Sequence, residues 1–359
     1  MKILLVSLEY PPQIGGVANY YYNLKTHWPE PENFIVLDNS EGKLLAKRRF
    51  LPWLKSIKSI YRSYRKNDSD LVLIGQVLPL GTSAALLSIF SPFRFAVFLH
   101  GLDYSLANAT PLKKVLCRFI LTRASVIVCA NSEVRRLLIN SQKNLIKKIE
   151  LLNPGAKVEE AKFFVKEELK EKYQLDNKKI IFSLGRLVRR KGFDRVIQSL
   201  DKVELDNFIY VICGQGKEKK YLRELADRSI HRKKIIFIDN INNDEKWAWL
   251  SLCDIFIMPA RNIAGDFEGF GIVYLEANLM SKPVIAGASG GVADAVKDGV
   301  NGLLINPEDN NAISGAINTL LKNPKLAHEM GECGRKRAEA DFNWINLAQS
   351  LATRLNEKL

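Results

Sequence analysis

Two glutamates eight residues apart, Glu268 and Glu276, stand in the most chemically loaded stretch of this chain. In an unbroken helix eight residues rise about 12 Å. The carboxyl pair of a glycosidase is only roughly 5–9.5 Å apart, and this spacing puts the two glutamates on different helical faces. They read as binders of two separate sets of hydroxyl groups rather than as an acid and a base. Upstream, Gly185 and Gly192 bracket four cations, Arg186, Arg189, Arg190 and Lys191. Arg offers a planar fork and Lys a point charge to the oxygens of a diphosphate. A solvated basic loop is the plain alternative, but glycines on both sides at a strand end favour phosphate. His100, followed by Gly101 and Asp103, presents an imidazole that can hydrogen-bond a sugar hydroxyl near neutral pH. A lone histidine is more often structural, and here its position after a strand argues for the site. Gly15 and Gly16 permit close backbone approach to a ligand or simply turn the chain. Gly214-Gln215-Gly216 is a G-x-G turn without the third glycine and ribose acid of a dinucleotide fingerprint, which leaves close approach to a nucleotide. Asn240 follows another strand, where backbone groups meet a base.

Each of these groups needs an element to hold it, and the elements repeat. Short apolar runs alternate with helical stretches from end to end. Strands are expected at 2–7, 34–38, 71–75, 95–99, 126–130 and 150–152, then at 179–184, 208–213, 235–238, 255–258, 284–286 and 302–305. Most are unbroken Val/Ile/Leu runs, as parallel strands covered on both faces require. The fold class is α/β: two doubly wound Rossmann-like domains with parallel sheets facing across a cleft. The expected domains are residues 1–163 plus 345–359, and residues 164–344. In such sheets ligands sit beyond the carboxyl ends of the strands, where every residue named above lies. Residues 254–287 read as strand, loop, helix and strand. The loop holding Glu268, Phe270 and Gly271 empties into a helix from Ile272, and backbone N–H groups at such an end favour an anion. Asn131 reads as a helix cap, a role that alone accounts for it.

Composition narrows the class. At 359 residues with 47% hydrophobic and 26% charged content, the chain is an ordinary globular protein of two domains. Residues 1–160 hold 22 Lys and Arg against 12 Asp and Glu, so most of the net charge of +14 lies there. Residues 43–66 hold nine cations and no acid, with Leu54, Ile57, Tyr61 and Tyr64 at helical spacing. That pattern suits an interfacial helix on an anionic membrane surface, with an ordinary surface helix as the alternative. Nucleic acid is not expected, because no binding motif accompanies the patch. Residues 71–93 carry no charge, but Gly75, Pro79 and Gly81 break them into strand, loop and helix rather than a membrane span. The first apolar run is too short for a signal peptide. Five cysteines without a CxxC pair suggest a reducing cytosol and no disulfide framework. Neither cysteines nor the four histidines have metal-site spacing. The expected location is cytoplasmic, peripheral at the inner face of the membrane.

Taken together, Gly15-Gly16, His100-Gly101-Leu102-Asp103, Gly185-Arg186 to Lys191-Gly192, Gly214-Gln215-Gly216 and Glu268-x7-Glu276 resemble, in order and over nearly the whole chain, the retaining glycosyltransferases of family 4, which have the GT-B fold. Asp266 to Ala277 is most similar to the phosphatidylinositol mannosyltransferases and related bacterial enzymes. Asn153-Pro154-Gly155 departs from the Pro-Asn-Gly of many members. The resemblance implies that Arg186 and Lys191 bind the donor diphosphate and Glu276 the ribose. It implies that Glu268, with backbone groups near Phe270 and Gly271, holds the donor sugar, that His100 lies on the acceptor side, and that Gly16 lines the diphosphate. It further implies no metal and no cofactor. The donor expected is GDP-mannose, with UDP-sugars as the alternative, and the acceptor a lipid-linked or oligosaccharide hydroxyl. A nucleotide-sugar-binding protein without transfer activity and a two-domain dehydrogenase are the rival readings.

Overall fold

The computed structural model describes residues 1–13, 15–46, 51–157 and 163–358. Lys47, Arg48, Arg49 and Phe50 of the basic segment lie outside the described residues. The chain divides into two compact units, Met1–Gly155 with Trp344–Leu359, and Ala156–Asn343.

The first unit is a six-stranded sheet of β1 (Ile3–Ser7), β2 (Phe34–Asp38), β3 (Leu71–Ile74), β4 (Phe95–Leu99), β5 (Val126–Cys129) and β6 (Ile149–Leu151). All pairings are parallel, in the order β2-β1-β3-β4-β5-β6. Every residue of β1, β3, β4 and β5 is buried. That is why these strands read as continuous apolar runs instead of alternating ones. The winding direction changes between β1 and β3, so the loops after these two strands diverge and leave a crevice at their carboxyl ends. Gln76 closes the base of that crevice, accepting from the Leu8 N–H at 3.0 Å. The last helix, Trp344–Lys358, belongs to this unit. Trp344 sets its ring edge-on to Tyr20 at 5.3 Å, Leu351 and Leu355 are fully buried, and Arg354 and Lys358 reach Glu150.

The second unit contains β7 (Lys179–Leu184), β8 (Phe208–Cys213), β9 (Ile235–Ile238), β10 (Ile255–Met258), β11 (Val284–Gly287) and β12 (Gly302–Ile305). Its order is β12-β11-β10-β7-β8-β9, again all parallel. Counted from β7, this is the 3-2-1-4-5-6 order of a dinucleotide-binding fold, and the winding changes between β7 and β10. Trp249 stacks on Phe182 at 5.8 Å in the core beneath. All twelve strands expected from the apolar runs are present, their ends shifted by no more than one residue. The two sheets nevertheless have different strand orders, which local periodicity cannot report.

The helix Leu54–Asn67 turns Ser56 and Ile60 inward, and Ser56 Oγ meets Ser83 Oγ at 2.7 Å on the helix Leu80–Phe90. Of the expected apolar stripe, Leu54 and Tyr61 are exposed and Ile57 and Tyr64 half-buried. Tyr64 is engaged with Phe93, ring to ring at 5.1 Å. Among the described residues no helix is long and apolar enough to cross a membrane.

Candidate functional site

The second unit gathers its charged residues at the switch between β7 and β10. The loop after β7 brings Arg186, Arg189, Arg190 and Lys191, and the loop after β10 brings Asp266 and Glu268. Lys191 Nζ lies 2.6 Å from Glu268 Oε2, Arg190 donates to the same oxygen, and Arg190 Nε lies 3.2 Å from Asp266 Oδ1. All three partners of the Glu268 cluster are nearly enclosed, each side chain 11% exposed. Burial pushes the Glu268 carboxyl up, but Lys191 and Arg190 outweigh it and hold it below its ordinary value. Lys191 is lowered as well, but here burial outweighs the attraction of Glu268. Burial lowers its pKa, and it must share one carboxylate with Arg190 while Arg186 adds repulsion. With two cations on one carboxylate, Glu268 is ionised, and Lys191 and Arg190 retain N–H groups for a further anion.

Backbone geometry fixes this arrangement. Gly192, at φ +75°, is the first turn before the helix Phe193–Ser199, and a Cβ there would lie 2.1 Å from the Pro259 carbonyl. Glycine is needed so that the β7 loop can lie against the end of β10. The Arg261 N–H donates to the Arg190 carbonyl at 2.8 Å, and the Arg261 guanidinium grips both Asp194 oxygens at 2.8 and 3.1 Å. Ile263 and Asp266 exchange two backbone hydrogen bonds around Ala264-Gly265, and the Glu268 carbonyl accepts from Gly291 at 3.0 Å. Gly271, at φ +82°, precedes the helix Ile272–Leu279. Phe270 is buried on Phe342, ring centroids 5.6 Å apart, so what it offers a ligand is backbone. Ile272 is half-buried.

Glu276 lies on that helix, and Lys246 donates to its Oε1 at 3.0 Å from the helix Asn243–Leu252. Glu268 lies in the loop before the helix, so the two glutamates are not on one helix at all. Asn240 is exposed, and its neighbour Asp239 is held by Lys219 at 2.7 Å. Gly214 and Gly216 have a packing explanation, whereas a Cβ on Gly185 would make only an ordinary contact with Lys191 at 3.7 Å. A Cβ on Gly214 would lie 2.0 Å from the Gly185 carbonyl, and one on Gly216 would lie 2.2 Å from that of Leu187. These glycines let the loops after β7 and β8 pack backbone to backbone. Arg186 is exposed.

The first unit is built differently. His100 follows β4, and its Nε2 is 2.7 Å from Tyr21 Oη. Its ring sits among Tyr20, Tyr21 and Phe98, with centroids at 5.2, 5.3 and 6.3 Å. Burial lowers its pKa to about 4, so the imidazole is neutral at physiological pH. Asp103 Oδ1 accepts from the His100 and Gly101 N–H groups, both at 2.9 Å. Its Oδ2 is buried without a hydrogen-bond partner, and burial raises the carboxyl to about 6. Asn131 does cap the helix Ser132–Ser141, accepting from Val134 at 2.9 Å, but it also donates to the His100 carbonyl at 3.2 Å. Capping alone therefore does not account for it. A Cβ on Gly16 meets nothing within 4 Å among the described residues, and one on Gly15 only Glu9 Oε2 at 3.7 Å. Packing does not demand glycine at either place.

Arg190, Tyr21 and Asn131 are the residues that sequence reasoning did not single out for the site. Arg190 was visible among the four cations. Tyr21 gave no signal, because its partner is 79 residues away. Among the described residues, no group of three His, Cys, Asp or Glu is placed to hold a metal ion.

Residues 165–337 match the family described as Glycosyl transferases group 1. Over nearly its whole length the chain is similar to the GDP-mannose-dependent alpha-(1-6)-phosphatidylinositol monomannoside mannosyltransferase of Mycolicibacterium smegmatis. The two are 28% identical over 378 residues, covering 99% of this chain and 98% of that one. Half of the chain is also similar to the Alpha-1,3/1,6-mannosyltransferase ALG2 of Dictyostelium discoideum, 30% identical over an alignment of 201 residues that covers 50% of this chain and 46% of that one. Among solved structures, Anabaena Alr3699/HepE in complex with UDP is similar in fold. Its TM-score is 0.81 at 18% identity, with 99% of this chain and 100% of that one covered.

Proposed function

We infer from the group 1 match over residues 165–337 and the whole-length likeness to a mannosyltransferase that the chain is a glycosyltransferase of the GT-B type. From that premise we propose that it moves a hexosyl unit, mannose first, from a nucleotide diphosphate sugar to a lipid-linked or glycan hydroxyl with retention of configuration. The observation that carries this reading is the convergence of Arg190, Lys191 and Glu268 at the β7–β10 switch point. Arg186 and Lys191 take the diphosphate, Glu268 the hydroxyls of the donor sugar, and Glu276 the ribose. Gly16, where a side chain would project into open space, lets phosphate approach backbone. As the glycosidic bond breaks, charge grows on the leaving diphosphate, and preoriented cations stabilise it where water is excluded. The acceptor hydroxyl attacks the oxocarbenium-like centre from the leaving group's own face and passes its proton to a phosphate oxygen. The cations serve in place of a metal, so chelation by EDTA should leave the rate unchanged.

GDP-mannose is favoured as donor by the name of the mycobacterial relative, and UDP-sugars are the second reading because the Anabaena neighbour was solved with UDP. The acceptor reading draws on the phosphatidylinositol monomannoside in the relative's name. Contact with an anionic membrane surface through residues 43–66 is supported by exposed Leu54 and Tyr61 among exposed Lys55, Lys58, Arg62, Arg65 and Lys66. Incubation with labelled GDP-mannose, UDP-glucose and UDP-N-acetylglucosamine, each with extracted lipid, tests the proposal. A labelled glycolipid from GDP-mannose with the donor's anomeric configuration is expected. Product only from a UDP-sugar selects the second reading. Binding without product from any donor, seen as a raised Tm, would leave a nucleotide-sugar binder.

A further inference from the structure

We infer that Tyr21 is a positioning residue for the transfer reaction, fixing the tautomer of His100 so that Nδ1 is the acceptor offered to a sugar hydroxyl. The inference rests on the reading that His100 meets a sugar.

The argument is a proton count. Tyr21 Oη lies 2.6 Å from the Gly75 carbonyl oxygen and 2.7 Å from His100 Nε2. The carbonyl has no hydrogen, so the phenol's single proton goes to Gly75. Oη must then accept from His100, which places a hydrogen on Nε2. A neutral imidazole has one N–H, so Nδ1 is left with a lone pair. Tyr21 cannot escape this role by ionising, since it is fully buried and its pKa is raised well above the ordinary value.

The surroundings make the tautomer a fixed feature. Both backbone groups of His100 are held by side chains, the N–H by Asp103 and the carbonyl by Asn131. Three aromatic rings enclose the imidazole, and burial keeps it neutral down to about pH 4. Gly75 completes the device. A Cβ there would lie 3.0 Å from Tyr21 Cε2 and 2.9 Å from Ser7 Oγ, so only glycine brings its carbonyl over the phenol without displacing the ring. The bland reading is that Tyr21 merely fills the core against Phe98. Core filling explains the ring, but it does not require a hydroxyl shared between a glycine carbonyl and the one histidine at the strand ends.

Imidazole nitrogen chemical shifts of the full-length chain decide between the two. The chain has four histidines, and the His100 signals are assigned by their loss in His100→Asn. The expected wild-type pattern is a single Nε2–H tautomer, unchanged as pH falls from 7 to 5. Tyr21→Phe should release it to a tautomer average and lower kcat/KM by about tenfold, the worth of one hydrogen bond. A core-filling role would leave the averaged pattern absent. His100→Asn keeps an acceptor near the Nδ1 position and His100→Gln does not, so the Asn variant should be the more active. An Nδ1–H tautomer in the wild type overturns the inference, as does Tyr21→Phe with both shifts and kcat/KM unchanged. If Tyr21→Phe does not fold, the wild-type tautomer and the Asn-over-Gln order still decide it. Loss of the transfer reading would appear as a wild-type chain that makes no product, which the shifts, measured without substrate, do not depend on.

Discussion

In the first unit the group presented at the strand ends is a neutral imidazole enclosed by aromatic rings; in the second it is a buried carboxylate between two cations. Both groups follow a parallel strand, and both units carry a crevice where the winding of the sheet reverses. The scaffolds solve the same problem, but the preorganisation differs in kind. His100 is oriented by hydrogen bonds that each name a specific atom, with burial keeping charge away. Glu268 is oriented by ion pairs that burial strengthens, since charges attract more in a low dielectric. The difference implies that the units should fail differently when perturbed.

The largest effect is expected in the ionic half. Lys191→Met should lower kcat by about 10²–10³-fold, the usual cost of one transition-state donor. Arg186→Ala should cost about 10²-fold or more, although Arg186 is exposed in the structure. Near-normal turnover in either variant would sink the electrostatic role. Steady-state rates with the donor identified in the transfer assay measure both.

The glycines sharpen the comparison next. Gly192→Ala forces a side chain into the left-handed region and into the Pro259 carbonyl at 2.1 Å. Together these should destabilise the protein by about 2–4 kcal/mol, read from chemical denaturation. Gly16→Ala has open space and helical backbone, so stability should stay within about 0.5 kcal/mol. Its effect should appear as weaker nucleotide binding instead. The same substitution would then damage the fold in one loop and the ligand contact in the other. If Gly16→Ala bound donor normally, the first unit's glycine loop would be a plain turn.

How far the sequence anticipated all this follows the range of the interactions. Strands were legible because burial on both faces writes itself as a local apolar run. Glu268, Lys191 and His100 were legible because each follows a strand at a place where the fold presents ligands. Tyr21 was not, since nothing in Asn19 to Asn23 announces a partner at His100. Arg190 was seen only as charge, because its meaning depends on two carboxylates nearly eighty residues on. Gly214 looked like part of a nucleotide motif, and its packing against Gly185 needed the register of β7 on β8. The two strand orders were likewise invisible, because pairing order depends on contacts between distant runs.

The smallest effect is expected from pH, because two neighbours in the first unit oppose each other. His100 titrates at about 4 when folded against 6.5 when unfolded. Between these values the unfolded chain binds a proton that the folded chain refuses, so this contribution to stability is complete above pH 6.5 and is lost as pH falls toward 4. Asp103 titrates at about 6 folded against 3.8 unfolded. Here the folded chain keeps a proton the unfolded chain releases, so its contribution is present below 3.8 and is lost as pH rises through 6. Across pH 4 to 6 the two slopes have opposite sign, and the wild-type Tm should change little on their account. Removing either partner exposes the other. His100→Gln should give a Tm that falls as pH rises from 4 to 6 relative to wild type, and Asp103→Asn one that rises. Glu268 of the second unit is shifted the opposite way from Asp103, so its contribution is present above its unfolded value and is lost as pH falls. Parallel Tm curves for His100→Gln, Asp103→Asn and wild type would mean that the surroundings of these two half-buried groups do not shift their titration.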